Sequence, residues 1–167
     1  IGGKKLLKKK IIEQFPENFD RYIEVFGGAG WVLFDKDRHA PMEVFNDING
    51  DLINLYRCVK NHPEALQKEL DWMFVSREQF FDCIAQSDIR GMTDIQRAAR
   101  FYCRIKSSFG TDLRSFSVRP RDLQGAVAYL QEVSKRLNKV VIENVDFERL
   151  VKTYDRESAL FYLDPPY

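Results

Sequence analysis

The sequence predicts an α/β protein built on a parallel, doubly wound sheet. Two observations predict this class: apolar segments typical of strands alternate with segments of helical periodicity, and the first strand ends in glycines. The length of 167 residues allows one domain with a substantial core and an insertion, but not two full-sized domains. Because ligands of such sheets bind at the carboxyl ends of the strands, we expect each candidate site residue at a strand end.

The N-terminal third of the chain is predicted to hold the first two strands. A helix is expected over residues 3–15, where leucines and isoleucines recur with helical spacing before Pro16. The first strand is expected over residues 21–26, and the glycines of residues 27–30 are expected to form a turn followed by a helix start. Residues 43–48 are expected to form the second strand.

A long helical stretch is predicted to separate these strands from a second pair. Residues 52–138 carry apolar stripes with helical spacing, apart from residues 107–120, whose Ser, Gly, Thr and Pro predict a loop or short hairpin. The third and fourth strands are expected over residues 139–145 and 159–163, with a short helix over residues 146–154 between them.

The composition excludes several classes of protein. Apolar residues make up 44% and charged residues 31% of the chain, which is typical of a soluble globular protein. The sequence has no run of eighteen apolar residues and no signal peptide, so we expect neither export nor a membrane partner. The three cysteines form no CxxC pair, and their odd number argues against a disulfide framework. We therefore expect a cytoplasmic protein without a bound metal, and the sequence implies no oligomer.

Positive charge is concentrated in two segments of a chain whose net charge is only +1. Residues 1–12 carry five lysines and no acid, and residues 97–121 carry seven basic residues against Asp112 alone. Such local density is typical of a face that contacts phosphates. A solvated face is the alternative for residues 1–12. In residues 97–121 four aromatic residues lie among the basic ones, an arrangement that suits stacking on bases or wedging between them.

The glycine turn and the acid after the second strand are typical of a nucleotide-binding sheet. Gly28 and Gly30 follow the first strand, but position 33 is Leu33 where a dinucleotide fingerprint needs a third glycine, so a plain tight turn is the alternative. Asp47 lies 19 residues after Gly28, near the distance at which an acid meets a ribose hydroxyl. An exposed loop aspartate is the alternative for Asp47.

The last four residues carry a more informative motif. In Asp164-Pro165-Pro166-Tyr167 two prolines remove two backbone donors and hold the chain extended. A carbonyl just after the aspartate is then free to face a ligand. The alternative is a proline-rich loop after an edge strand.

Taken together, the motifs at the strand ends resemble those of a known family. The segments IEVFGGAG at 23–30, FNDIN at 45–49, NVDF at 144–147 and YLDPPY at 162–167 are similar, in order and spacing, to the motifs of Dam-like, D12 class DNA adenine N6-methyltransferases. The opening Gly2-Gly3-Lys4 also resembles the start of that family. The resemblance covers almost the whole chain, and it implies S-adenosylmethionine (AdoMet) as methyl donor and double-stranded DNA as substrate.

The resemblance also implies a division of the chain. Residues 1–51 and 139–167 are expected to form the AdoMet-binding core, a Rossmann-like methyltransferase sheet represented by its first four strands. Residues 52–138 are expected to form a mainly helical insertion, whose segment 97–121 recognises the DNA target. Because the strands that complete such a sheet are missing, we interpret the sequence as a fragment of a longer protein.

Individual roles follow from the same resemblance. The loop from Phe26 to Gly30 is implied for the methionine part of AdoMet, Asp47 for its ribose, and Asp146 with Phe147 for its adenine. The cofactor-binding residues are then Lys4, Phe26, Gly28, Gly30, Asp47, Asp146, Phe147 and Asp164. A DNA phosphate is the alternative partner for Lys4. The catalytic residues are Asp164, Pro165, Pro166 and Tyr167. The residues expected to bind DNA are Arg104, Lys106, Ser108, Phe109, Arg114 and Arg119.

The chemistry of adenine methylation explains why an aspartate and a proline carbonyl are needed. The exocyclic N6 is a poor nucleophile because its lone pair is conjugated with the ring. Asp164 and the Pro165 carbonyl can accept the two amino hydrogens, which favours a pyramidal nitrogen whose lone pair points at the donor methyl group. The target base must leave the duplex stack to reach such a site, and Tyr167 offers it an aromatic face.

Other functions remain open on the sequence alone. A degenerate or truncated methyltransferase could bind DNA through residues 97–121 without turnover, and cytosine N4 or RNA adenine methylation would use the same amine chemistry. A nicotinamide dehydrogenase would leave the DPPY motif unexplained. The insertion lacks the Asn-Gly turn often found in the family, so the DNA sequence that it recognises is not specified.

Overall fold

The chain divides into two compact units, Gly2–Ile53 with Arg136–Tyr167 and Asn54–Lys135. The computed structural model describes residues 5–110, 112–118 and 127–165. Assignment of the first unit to AdoMet and of the second to DNA recognition stays a prediction.

The first unit contains a four-stranded sheet in which every pairing is parallel. In the spatial order β3-β2-β1-β4, it is built from β1 Arg21–Glu24, β2 Met42–Asn46, β3 Val140–Glu143 and β4 Ala159–Tyr162. This arrangement confirms the predicted parallel α/β sheet. Each strand ends one or two residues earlier than predicted, since the residues that follow belong to loops at the carboxyl edge.

Seven α-helices lie in the described part of the chain. They are α1 Lys8–Ile12, α2 Gly50–Asn61, α3 Pro63–Asp71, α4 Arg77–Ala85, α5 Asp94–Ser107, α6 Val127–Leu137 and α7 Phe147–Tyr154. The helix expected over residues 3–15 is limited to α1, and the side chains of Leu6 and Leu7 before it are exposed. Without an apolar face to pack, so short a helix gains little from extension.

One face of the sheet packs against α7. Ile23 and Val25 alternate along β1 toward this face and form a buried cluster with Val44, Leu150 and Tyr154. Asp146 begins α7 as its N-cap, because its side chain accepts a hydrogen bond from the Arg149 amide at 3.0 Å. The loop between β3 and α7 is therefore fixed where it enters the helix.

The prediction that a helix begins directly after the glycine turn is wrong. Residues 27–30 form a turn closed by the Gly30 amide on the Gly27 carbonyl at 2.8 Å, and a single 3-10 turn follows at Leu33–Asp35. Gly28 and Gly30 have positive φ angles of 51° and 65°, which α-helical residues do not adopt. The Leu33 amide is also bound by a side chain, that of Glu24, at 3.0 Å.

The second unit is helical, as the apolar stripes predict, and two of its helices begin at side-chain caps. Ser76 caps α4, and Thr93 forms a capping box with Gln96 at the start of α5. From the buried face of α5, Arg100 reaches Gln86 at 2.6 Å and Glu69 at 3.3 Å. These polar contacts link α5 to the neighbouring helices.

Residues 107–110 and 112–117, named the α5 hairpin below, follow the last turn of α5. Ser108 and Phe116 form an antiparallel bridge, the Phe109 amide donates to the Ser115 carbonyl at 2.7 Å, and the Ser117 amide donates to the Ser107 carbonyl at 2.7 Å. The loop or hairpin expected there is therefore a hairpin.

Neither a membrane span nor a metal cluster is found in the part of the chain that the structure describes. None of its helices is long and apolar enough to cross a bilayer. No three or more His, Cys, Asp or Glu side chains of the described ranges come together as metal ligands would. The three cysteines are buried and free.

A buried ion pair fixes the segment that follows the glycine turn. Arg136 donates to both carboxylate oxygens of Glu43, at 2.7 and 2.8 Å, and to the carbonyls of Leu33 and Lys36 at 2.9 and 2.7 Å. Glu43 also accepts from the His39 amide at 2.8 Å. The side chain of Glu43 is only 2% exposed and that of Arg136 only 11%. The pair therefore holds residues 33–39 against β2.

Replacing Glu43 by alanine should destabilise the protein by about 3–5 kcal/mol, because Arg136 would be left as a buried charge without its partner. The free energy of unfolding in urea measures this effect. Glu148→Ala is the matched control, since Glu148 pairs with Lys152 on an exposed helix face and its loss should cost less than about 1 kcal/mol. Equal losses in the two variants would contradict a structural role of the Glu43–Arg136 pair.

Candidate functional site

The carboxyl ends of β1, β2 and β3 are joined by one buried side chain, that of Asn46. Its Nδ2 donates to the Val25 carbonyl at 2.9 Å and to the Val145 carbonyl at 3.0 Å, and its Oδ1 accepts from the Val145 amide at 3.0 Å. The Asn46 carbonyl accepts from the Gly27 amide at 2.7 Å. Every polar atom of the Asn46 carboxamide is therefore used to hold the loops that follow β1 and β3.

Asp47, the residue after β2, is bound to the glycine turn. Its Oδ2 accepts from the Gly28 amide at 2.9 Å, and its Oδ1 accepts from the Asn49 amide at 2.8 Å. The Asn49 side chain in turn accepts from the Leu52 amide at 3.1 Å at the start of α2. Asp47 is half-buried, and each of its oxygens keeps a lone pair for a further donor.

The loop between β3 and α7 contacts the same edge. Asn144 Nδ2 donates to the Asp47 carbonyl at 2.7 Å. The rings of Phe26 and Phe147 lie 6.2 Å apart between centroids, so an aromatic pair bridges the loops after β1 and β3. Phe147 is half exposed, and it offers an apolar surface at this edge.

The glycine turn lies on an aromatic ring. A Cβ at Gly27 would come within 2.2 Å of the Phe45 ring, so this position admits only glycine. A Cβ at Gly28 would meet no described atom within 4 Å, so the outer side of the turn is open to a ligand. The turn therefore packs closely on Phe45 at Gly27, whereas a side chain at Gly28 would meet no described atom.

Asp164 and Pro165 follow β4, whose last residue Tyr162 lies in register with Glu24 at the end of β1. Asp164 is half-buried and Pro165 is exposed. The carboxyl group of Glu24 lies under this edge, and burial, the largest cause, raises its pKa to about 8 although the hydrogen bonds from Tyr22 and Leu33 lower it. The charge of Asp164 also raises the pKa of Glu24.

The structure therefore brings together the residues expected at three strand ends: Phe26, Gly28 and Gly30 after β1, Asp47 after β2, and Asp146 with Phe147 after β3. Asp164 and Pro165 stand at the end of the fourth strand. Their individual roles toward a ligand stay predictions. Lys4, Pro166 and Tyr167 lie outside the described residues, as does Arg119.

The residues expected to bind DNA lie on α5 and the α5 hairpin. Phe109 is 68% exposed and Arg114 is exposed, whereas Lys106 stands with its Nζ 5.4 Å from the centre of the Tyr102 ring. Ser108 is buried, and its hydroxyl donates to the Ser115 carbonyl at 3.3 Å, so its observed contact holds the hairpin. DNA contact by these side chains stays a prediction.

The hairpin is anchored by Phe116, one of the four aromatic residues predicted from the sequence to suit stacking on bases. Its ring lies 5.6 Å from that of Phe80 on α4, and the Arg77 guanidinium stands 5.2 Å from its centre. This anchoring presents Phe109 on a fixed hairpin, and Gly110 beside it has a φ of 90°.

The sequence predicts no role for Glu24 or Asn46, and it places Gly27 only within the loop implied for AdoMet. A signal for Glu24 was present, because an acid between Ile23 and Val25 interrupts an otherwise apolar strand. The contacts of Asn46 and Gly27 could not be predicted, since their partners are set by the packing of separate segments. Asn46 contacts a residue 99 positions further along the chain.

The parallel sheet carries a glycine turn, an acid and an aromatic pair at the carboxyl ends of neighbouring strands. This arrangement is typical of the nucleotide-binding α/β class. The comparisons with known proteins narrow this class. A family model described as D12 class N6 adenine-specific DNA methyltransferase matches residues 1–115. The chain therefore belongs to the D12 class of N6 adenine-specific DNA methyltransferases.

Relatives with names of the same kind cover nearly the whole chain. Type II methyltransferase M1.LlaDCHI of Lactococcus lactis subsp. cremoris is 31% identical over 186 residues, which are 99% of this chain and 63% of the relative. Type II methyltransferase M.MjaIII of Methanocaldococcus jannaschii is 30% identical over 193 residues, 99% of this chain and 66% of the relative. The DNA adenine methylase of Haemophilus influenzae is 26% identical over 186 residues, which are 99% of this chain and 61% of the relative. The chain thus spans less than two thirds of the length of these relatives.

Replacing Asn46 by aspartate should destabilise the protein at pH 7 by about 2–3 kcal/mol, because a buried carboxylate would face the Val25 and Val145 carbonyls in place of a donor. Protonation would restore one donor. Since burial raises the folded-state pKa of the new carboxyl above its unfolded value, the variant should regain stability relative to wild type as the pH falls from 7 toward 5. Urea unfolding at the two pH values measures this difference.

Asn138→Asp is the matched control for this prediction. It makes the same chemical change at an exposed residue, and it should alter the unfolding free energy by less than about 0.5 kcal/mol. A pH-independent loss in Asn46→Asp would contradict the role assigned to the donor hydrogens of Asn46.

Proposed function

We propose that the protein transfers the methyl group of AdoMet to N6 of adenine in double-stranded DNA. The observation that carries this proposal is the placement of the glycine turn, Asp47, Asp146 and the Asp164-Pro165 pair at the carboxyl ends of the four strands of one parallel sheet. Membership of the D12 class supports the reaction, and the names of the relatives support DNA as the substrate.

The residues at this edge fit AdoMet, the methyl donor of the D12 class. Above Gly28 the backbone is open, so the methionine part can approach the turn closely. Asp47 keeps acceptor capacity for the two ribose hydroxyls, because each of its oxygens accepts from one amide among the described residues. The exposed ring of Phe147 beside Asp146 suits the flat face of adenine, and Lys4 is assigned to the carboxylate.

The reaction that we propose needs two acceptors at the target amine. AdoMet supplies an electrophilic methyl group on a positively charged sulfur. The carboxylate of Asp164 and the carbonyl of Pro165 accept the two hydrogens of N6, which releases its lone pair from the adenine ring and stabilises the positive charge that develops on nitrogen. Both acceptors follow a sheet strand, so their positions are set before the base arrives.

The target adenine has to leave the duplex to reach this edge. We assign Pro166 and Tyr167, which complete the DPPY motif, to the extruded base, with the tyrosine ring as a stacking surface. Because AdoMet and DNA occur together in the cytoplasm of a bacterial cell, we place the protein there.

We assign DNA binding to α5 and the α5 hairpin. Arg104, Lys106 and Arg114 supply positive charge for phosphates or base edges, and exposed Phe109 supplies an aromatic surface on an anchored hairpin. Arg119 belongs to the same basic segment.

Replacing Asp164 by alanine should lower the single-turnover rate of methyl transfer by at least about two to three powers of ten, the usual cost of one preorganised electrostatic contact. AdoMet and DNA affinities should stay within a few-fold of wild type, because the contact matters most in the transition state. Asparagine at this position keeps one acceptor oxygen, so the rate of Asp164→Asn should lie between those of wild type and Asp164→Ala. Nucleoside analysis of the product distinguishes N6-adenine methylation from N4-cytosine methylation.

Asp155→Ala serves as the control for the loss of an acidic side chain, since Asp155 is exposed beyond α7. It should leave the rate unchanged. An unchanged rate in Asp164→Ala, measured on the full-length protein, would refute the mechanism, and absence of methyl transfer by the wild-type protein would favour a DNA-binding protein without turnover.

Replacing Arg104, Lys106 and Arg114 together by alanine should flatten the dependence of DNA affinity on salt. The slope of log K against log salt concentration should fall by about 0.9 for each phosphate contact that is lost. If one of these residues reads a guanine edge, discrimination at one base pair should instead fall by about 1–3 kcal/mol with little change in slope. Fluorescence anisotropy with labelled duplexes at several salt concentrations measures both effects.

A second triple variant, Arg57→Ala, Lys68→Ala and Lys152→Ala, removes the same charge from exposed positions outside the basic segment. Its salt slope should match that of wild type. If the two triple variants change the slope equally, net charge explains the effect and the assignment of α5 and the hairpin is wrong.

A further inference from the structure

Glu24 is the last residue of β1 and comes just before the segment that leads into the glycine turn. Its side chain is only 2% exposed. Ile23 and Val25 point to the face covered by α7, so Glu24 lies on the opposite face with Tyr22. An acidic residue at such a buried position needs either a cation or a proton to neutralise it.

The contacts of Glu24 link the strand to the segment beyond the turn. Its Oε2 accepts from the Tyr22 hydroxyl at 2.7 Å and from the Leu33 amide at 3.0 Å. Residues 25–32, which include the glycine turn, therefore leave β1 at Glu24 and return to the same carboxyl group at Leu33. The position of the turn depends on this closure.

The charges around Glu24 do not neutralise a carboxylate. Among the described residues no cation hydrogen-bonds to it, because the donors of Arg136 on α6 go to Glu43 of β2 and to two backbone carbonyls. The charge of Arg136 lowers the pKa of Glu24 from a distance, and the smaller effect of Asp164, after β4, raises it. The groups that face Glu24 are thus a tyrosine hydroxyl, a guanidinium already paired with Glu43, and a second acid.

We propose that Glu24 is a positioning residue that acts in its protonated, neutral form and closes the cofactor loop between β1 and Leu33. With Oε2 accepting two hydrogen bonds, the proton resides on Oε1. This inference rests on the proposed function, since the loop that Glu24 closes is the one assigned to AdoMet. Burial raises the pKa of Glu24 to about 8, so the neutral form prevails at pH 7 and is lost as the pH rises through 8.

The test compares Glu24→Gln, Glu24→Ala and wild type in the full-length protein, with AdoMet titrated by calorimetry from pH 6.5 to 9.5. Glutamine has the shape of a neutral glutamate, so the AdoMet affinity of Glu24→Gln should lie within about twofold of wild type at pH 7. Glu24→Ala should bind AdoMet about tenfold or more weakly. Above pH 8 the AdoMet affinity of wild type should fall relative to that of Glu24→Gln by up to about tenfold per pH unit, because the fraction of wild-type protein with neutral Glu24 falls. Ionisation of AdoMet itself affects both proteins equally and cancels in this ratio.

Urea unfolding supplies a measurement that does not depend on AdoMet. Because the folded-state pKa of Glu24 lies above the ordinary value of 4.5, wild type should lose stability relative to Glu24→Gln as the pH rises from about 4.5 to about 8, and lose no more above that. Glu157→Gln, at an exposed residue, should show no such dependence.

The outcomes separate this inference from the proposed function. If wild type does not bind AdoMet, the proposed function is wrong, and the unfolding series alone decides whether Glu24 is neutral. If wild type binds AdoMet but Glu24→Gln binds as weakly as Glu24→Ala, the ionised form is required and the inference is overturned. Parallel pH profiles of wild type and Glu24→Gln would overturn it as well.

Discussion

The candidate site depends on the carboxamide of Asn46. Parallel strands leave their carboxyl ends side by side, but nothing in the ladder fixes the loops that continue beyond them. Asn46 donates to loops on both sides and accepts from one of them, so the segments after β1 and β3 are held at a set distance from β2. The Asp47 carboxylate and the Phe26–Phe147 pair take their positions from this junction.

Two buried acids, Glu24 and Glu43, lie on the sheet face opposite α7, and their carboxyl groups are stabilised in different ways. Glu43 on β2 is paired with Arg136 through two hydrogen bonds, which anchors residues 33–39. Glu24 on β1 accepts from two neutral donors, and its raised pKa reflects the burial that they do not offset. Both acids bind backbone groups of the segment after the glycine turn, so this segment is ordered by side chains rather than by regular secondary structure.

Much of the fold could be predicted from the sequence, because its signals are local. The strand–glycine turn pattern at residues 21–30 and the apolar stripes of α5 follow from periodicity and residue type. The expected helix start after Gly30 fails because long-range bonds, such as that from Leu33 to Glu24, compete with helix formation. Asp47 could be chosen as a site residue from its spacing, whereas the junction at Asn46 joins residues about a hundred positions apart, and no local pattern encodes it.

The glycines of the turn are required for two different reasons. These reasons explain why the turn does not need the third glycine of a dinucleotide-binding fingerprint. Gly27 is required by contact, since the Phe45 ring occupies the space of any side chain, and a Cβ at Gly30 would likewise lie 2.6 Å from the Phe34 ring. Gly28 has open space, and its positive φ is what requires glycine. Dinucleotide fingerprints use their third glycine to bring a helix close to the sheet. In this chain no helix follows the turn, so Leu33 can occupy that position and bury its side chain.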